Sequence, residues 1–178
     1  MKSLLAILTP LVLVGFLCAQ EIESWRRDGK TMPNTPSMKS KNGFGAALFL
    51  TENAKIFEDW SKPEAPKFTP VEKARRNAPI FTVILFAEPG TDATGTANVT
   101  DDIIVRKPDG GVYGEQKNTA LWKHKYPAHS HATQLSEGYL AIRIEPNDPS
   151  GIYTVEVRVH DQIKNVELSL KRTFYVAR

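Results

Sequence analysis

The stretch from Glu145 to Val159, E-P-N-D-P-S-G-I-Y-T-V-E-V-R-V, decides the fold class of this chain. Six turn-forming residues, Pro146, Asn147, Asp148, Pro149, Ser150 and Gly151, run directly into a segment of strict two-residue period. Tyr153, Val155, Val157 and Val159 fall on one face, and Thr154, Glu156 and Arg158 on the other. That alternation belongs to a strand with one buried and one solvated side. Tyr139 to Ile144 before it and Val166 to Val176 after it read as neighbouring strands.

Working outward, the same signals recur. Pro79 to Ala87 is a nearly continuous apolar run between two prolines, rich in β-branched and aromatic residues, and reads as a central buried strand. Asn98 to Arg106 places Val99, Ile103 and Val105 on one face. Lys107-Pro108-Asp109-Gly110-Gly111 then turns the chain back into a strand around Val112-Tyr113, and Thr119 to Trp122 makes another short one. Gly43 to Thr51 begins as Gly-x-Gly but lacks the third glycine and the helix of a dinucleotide loop, so it reads as a first edge strand. Between Glu52 and Ala78, Pro63, Pro66 and Pro70 forbid a long helix, and Lys73 to Arg76 has room for a single turn. Phe57, Trp60 and Phe68 in that connection are expected to pin it to the body and to mark a candidate partner-binding loop. About seven short strands with turn signals and no amphipathic helix imply an all-β sandwich spanning residues 43–178.

The segment Asp148 to Val155 resembles the tyrosine corner of immunoglobulin-like domains, in which a tyrosine hydroxyl bonds back to the corner's backbone two residues before a core cysteine. Val155 stands at that cysteine position, so the resemblance is to disulfide-free relatives, fibronectin type III-like and other immunoglobulin-like modules. It implies an antiparallel sandwich in which Asp148, Gly151 and Tyr153 play a structural part. It covers the C-terminal half well and Gly43 to Asn98 poorly, and a fold of this kind implies no activity.

The N-terminus has the pattern of a secretory leader: Lys2, an apolar run from Leu4 to Leu17, then Cys18-Ala19 before a polar segment. Cleavage is expected after Ala19, giving a signal peptide over 1–19 and an exported protein, periplasmic or secreted. Leu17 is too bulky for a lipoprotein anchor at Cys18, and no later apolar stretch is long enough to span a membrane. The single cysteine lies in the leader, so the folded domain is expected to be held without a disulfide. The formal net charge of +3 includes Lys2 and is too small to argue for nucleic acid as a partner. Residues 20–42 carry Pro33, Pro36, three acids and five bases, and read as a flexible polar arm.

Three constellations bear on chemistry. His124, His129 and His131 lie within eight residues, and the i, i+2 pair shares one side of an extended segment. Three imidazoles there would suit zinc or copper, as in a periplasmic metal-binding protein. Lys123 and Lys125 oppose a cation, no nearby acid stands before Glu137, and no cysteine is at hand, so a solvated loop is the plainer reading. Ser130 between two histidines is not a triad, because neighbours in an extended chain point apart. Asp101 and Asp102 likewise face opposite sides of a strand, while Asp92, Asp109 and Asp148 sit in turns and serve the local backbone. Trp25, Trp60, Trp122 and Tyr126 could line a sugar platform, as in a carbohydrate-binding module, but anchoring is the commoner use of such rings. Asn98-Val99-Thr100 is a glycosylation sequon in a eukaryotic source.

The expected function is therefore a non-enzymatic, exported binding module for a protein or a cell-envelope component, acting through loops or an edge strand and needing no cofactor.

Overall fold

The computed structural model describes residues 25–27, 30–62, 69–127 and 133–178. The expected leader at 1–19, residues 20–24, Phe68, His129, Ser130 and His131 lie outside the described residues. The strands are β1 Arg26–Arg27, β2 Lys30–Thr31, β3 Met38–Lys41, β4 Phe44–Thr51, β5 Lys73–Ala74, β6 Pro79–Ala87, β7 Val99–Arg106, β8 Val112–Trp122, β9 Gln134–Leu135, β10 Ala141–Arg143, β11 Gly151–Asp161 and β12 Val166–Val176. One four-residue helix, α1 Ile56–Asp59, stands among them. The fold is all-β.

Two five-stranded sheets carry the architecture. One runs β10-β6-β4-β3, with β9 also paired to β6; the other runs β5-β12-β11-β7-β8. β1 and β2 form a separate ribbon. Every pairing is antiparallel except the short contact of β5 with β12. β9 and β10 lie along the same edge of β6, Leu135 opposite Leu85 and Ala141 opposite Phe81. Between them Thr82 bridges the gap, its hydroxyl accepting from the Leu140 amide at 2.8 Å.

The alternation read from β11 holds. Tyr153, Val155, Val157 and Val159 are buried, whereas Thr154, Glu156 and Arg158 reach the outer surface. Their partners are in register: Val157 faces Ile103 on β7 and Leu170 on β12. Phe44, Leu48, Leu50, Ile80, Ile84 and Phe86 from the opposite sheet complete one shared core. Burial of this apolar surface supplies the main stabilisation, in keeping with a core that contains no cysteine.

β4 and β6 are apolar on both faces, because the outer side of their sheet is covered as well. Ala47, Val83 and Leu85 pack with Ile56, against which Trp25, Met38, Phe49, Phe57 and Trp60 lie half-buried. The expectation that the aromatic connection is pinned to the body is met by Phe57 and Trp60. α1 fits there because it ends before Pro63, so proline shortens the helix without forbidding it.

Several local readings change. Gly43 to Thr51 is not an edge strand: β4 lies between β6 and β3, and Met38 to Lys41, assigned to the arm, pairs with it instead. An outermost strand needs only backbone pairing on one side, so a polar sequence such as Met-Lys-Ser-Lys suffices. Lys73 and Ala74 are extended, not a helical turn, because they pair with Tyr175 and Val176. The two short strands expected at Val112 and Thr119 are one, β8, bent by irregular register against β7 between Asp101 and Ile103.

The corner preceding β11 is tightly built. The Tyr153 hydroxyl donates to the Pro149 carbonyl at 2.9 Å, and its ring stacks on Phe174 with centroids 5.4 Å apart. Asp148 accepts from the Glu145 amide at 2.7 Å, and the Tyr113 hydroxyl lies 2.6 Å from the same carboxylate oxygen. Arg76 clamps the corner from outside, donating to the carbonyls of Glu145, Asp148 and Ala177 and to the Ser150 hydroxyl. Gly151 has φ +134°, and a Cβ there would approach Pro108 to 2.9 Å, so both backbone and space require glycine.

Candidate functional site

The three places singled out in the sequence separate in space and in role. At the corner, Asp148, Gly151 and Tyr153 come together as a structural unit. In the aromatic connection, Phe57 stacks on Tyr139 with centroids 4.4 Å apart, and Phe81 meets both rings edge-on. These rings are not coplanar. Trp25 donates its indole N–H to the Lys39 carbonyl at 3.0 Å, Trp60 lies in the outer cluster, and Trp122 and Tyr126 flank Phe86. The four aromatics weighed as a sugar platform thus fall into two groups, Trp25 and Trp60 on the outer cluster and Trp122 and Tyr126 edge to face at 6.2 Å.

His124 is the member of the histidine trio that lies among the described residues. Its Nε2 is 2.8 Å from a Glu137 carboxylate oxygen, and its ring stacks on Trp122 with centroids 4.0 Å apart. The acid that the sequence placed thirteen residues away is therefore its direct partner. Among the described residues no group of three or more histidine, cysteine, aspartate or glutamate side chains converges on a metal position.

Asp101 and Asp102 face opposite sides of β7, as the strand period requires, with sharply different consequences. Asp101 points into the core, fully buried, and neither carboxylate oxygen has a hydrogen-bond partner. Burial first, and the adjacent Asp102 charge second, push its carboxyl up to about 7. Asp161, equally buried, shows the satisfied alternative: its oxygens accept from the amides of Gly90, Ile163 and Lys164 at 2.6 to 3.0 Å. The signal for Asp101 was present in the sequence, since it shares a face with Val99, Ile103 and Val105.

Asp102 opens onto the outer face of the sheet. It accepts from the Asn118 amide at 2.9 Å and from Arg158 Nη2 at 3.0 Å, and His160 Nε2 stands 3.6 Å away. The amide above all, then the Arg158 charge and the nearby His160 ring, hold its carboxyl below the usual range. Next along the same face, Arg106 pairs with Glu156 at 2.8 Å. These are cross-strand pairs of β7 and β11, Arg158 standing directly opposite Asp102 in the register.

This face forms the floor of a cleft of about 810 Å³. Asn34, Thr35, Pro36 and Lys39 form one wall, and Ile104 contributes an apolar patch among the paired charges. The wall is fixed because the Lys171 amide donates to the Pro36 carbonyl at 2.6 Å, while Asn34 exchanges two hydrogen bonds with the Ser40 backbone. A second concavity of about 650 Å³ continues past Pro36 and Lys171 to Ile152, Thr173 and Tyr175. The sequence did not point here: the cleft joins residues more than a hundred positions apart, and its wall came from the supposed arm.

The sheet edges offer less. The Lys39 carbonyl on β3 is occupied by Trp25, and the Arg143 carbonyl on β10 lies 2.6 Å from the Tyr113 hydroxyl. β8 is bent by its irregular register and carries the Glu115–Lys117 ion pair, and β5 is two residues long. Such features discourage edge-to-edge pairing.

No family model matches the chain, and no curated protein matches it. A solved structure of a family 123 glycoside hydrolase from Clostridium perfringens, studied for glycolipid glycan hydrolysis, is similar with a TM-score of 0.47 and 14% identity. The similarity covers 76% of this chain and 27% of that one.

Proposed function

We propose that this chain is an exported, non-enzymatic, immunoglobulin-like β-sandwich that binds a protein or cell-envelope partner. The observation that carries the reading is the cleft on the outer face of β12-β11-β7, walled by Asn34 to Pro36 and Lys39. A rigid concavity mixing paired charges with an apolar floor suits recognition. The blunted sheet edges favour this face over strand addition.

The immunoglobulin-like assignment is supported by strand order. With strands lettered in chain order, β4-β6-β10 correspond to A-B-E and β12-β11-β7-β8 to G-F-C-C′. The hydroxyl bond from Tyr153 to the corner supports it independently. Cross-linking of the full chain in its native compartment tests the function. A covalent adduct with another protein or an envelope component is expected; a chain recovered only as itself contradicts the reading.

A further inference from the structure

We infer that the cleft takes an extended acidic peptide segment that also carries apolar side chains; this rests on the binding-module reading and names its partner class. Charge supplies the first reason. Four cations, Lys39, Arg106, Arg158 and Lys171, surround the cleft against two carboxylates, Asp102 and Glu156. Within this cleft the carboxylates are matched, Asp102 to Arg158 and Glu156 to Arg106, while the adjoining concavity adds Glu72 and Arg172, the latter turned to the Leu48 carbonyl. Among the described residues Lys39 and Lys171 have no ion pair or side-chain hydrogen bond, one on the wall and one on the floor. Their ammonium groups can receive carboxylates without first breaking an internal bond, so complementarity favours an anionic partner.

Shape and apolar surface supply the second. Pro36 and Lys171 border both concavities, which makes the site long rather than round. Along it lie Ile104 and then the cross-strand pair Ile152 and Tyr175, 60% and 43% exposed. Two large apolar side chains in register on an exposed sheet face are a typical partner-contact patch. Branched aliphatic groups such as Ile104 and Ile152 match apolar side chains, whereas sugar rings favour flat aromatic faces. An extended peptide whose acidic and apolar side chains stand two residues apart turns both kinds to one face, toward the lysines and the isoleucines together. A polyanionic glycan would use the lysines and leave the isoleucines bare.

The test uses the full chain and three probes: a soluble peptide with glutamate and leucine taking turns at every second position and serine between them, its lysine-for-glutamate counterpart, and a sulfated oligosaccharide of similar charge. Fluorescence anisotropy should show saturable binding of the acidic peptide alone, weakening as salt rises. Lys39→Gln with Lys171→Gln should lower its affinity roughly tenfold or more, and Tyr175→Ala should lower it independently. Thermal melts of both variants should match the parent, because neither lysine side chain nor the exposed ring is bonded to the fold. Binding of the oligosaccharide without the peptide overturns the peptide assignment while leaving a binding module. Peptide binding unchanged in the double variant, or no binding of any probe, also overturns it. The module reading itself is decided separately, by the cross-linked adduct.

Discussion

Tyr153 and Pro149 are joined by a 2.9 Å hydrogen bond from the phenol hydroxyl to the carbonyl four residues earlier, and the ring is fully buried. Removing the hydroxyl leaves that carbonyl without this donor. Tyr153→Phe should therefore lower stability by about 1 kcal/mol or somewhat more. Urea denaturation measures it, and an unchanged midpoint would show that the bond contributes nothing.

Arg76 reaches the same corner from the connection before β6. Its guanidinium contacts three carbonyls and one hydroxyl at 2.7 to 3.1 Å. Arg76→Ala should cost about 1.5 to 3 kcal/mol, the range for hydrogen bonds to a charged group. Arg76→Lys should not restore it, because an ammonium cannot reproduce the planar fork. Full rescue by lysine in the same denaturation assay would contradict the geometry.

Asp101 makes stability depend on pH. Its carboxyl is raised from 3.8 to about 7 in the folded protein, so the native state holds the proton that the unfolded chain releases. The resulting stabilisation is complete below about pH 4, falls as pH rises, and is gone above about 7. At 1.36 kcal/mol per pKa unit, the full span is roughly 4 kcal/mol. Asp92, Asp102 and Asp148, held below their usual range by hydrogen bonds, act oppositely and lose stability in acid. The comparison of the parent with Asp101→Asn isolates the effect. The parent's melting temperature relative to the variant should fall between about pH 4 and 7, and parallel curves would contradict a buried, protonated Asp101.

The expected leader can be checked directly. The chain purified from its native source should begin at Gln20, as read by intact mass or N-terminal sequencing. A mature chain that retains Met1 would contradict export by cleavage.

Much of this frame was legible because periodicity is local. The faces of β11, the turn before it, and the opposed sides of Asp101 and Asp102 all follow from neighbouring residues. What escaped depends on distant partners. Met38 to Lys41 became a strand only because Phe44 to Ala47 supplies its ladder. Arg172 follows the inward period of β12 yet reaches the Leu48 carbonyl at 3.1 Å, a contact between residues on different sheets. The cleft is the extreme case, assembled from the 34–39 segment, β7, β11 and β12. Turn aspartates were readable for the opposite reason: Asp92 accepts from Thr94 and Thr96, and Asp109 from Gly111, all within four residues.

The most direct measurement of the central claim is a site-by-site photo-cross-linking scan in living source cells. The probe is placed in turn at Ile104, Thr173 and Tyr175 on the outer face, and at Lys55 and Ile163 elsewhere on the surface. One partner adduct is expected from the first three positions and none from the other two. Adducts from Lys55 or Ile163 with none from the outer face would contradict recognition by this cleft.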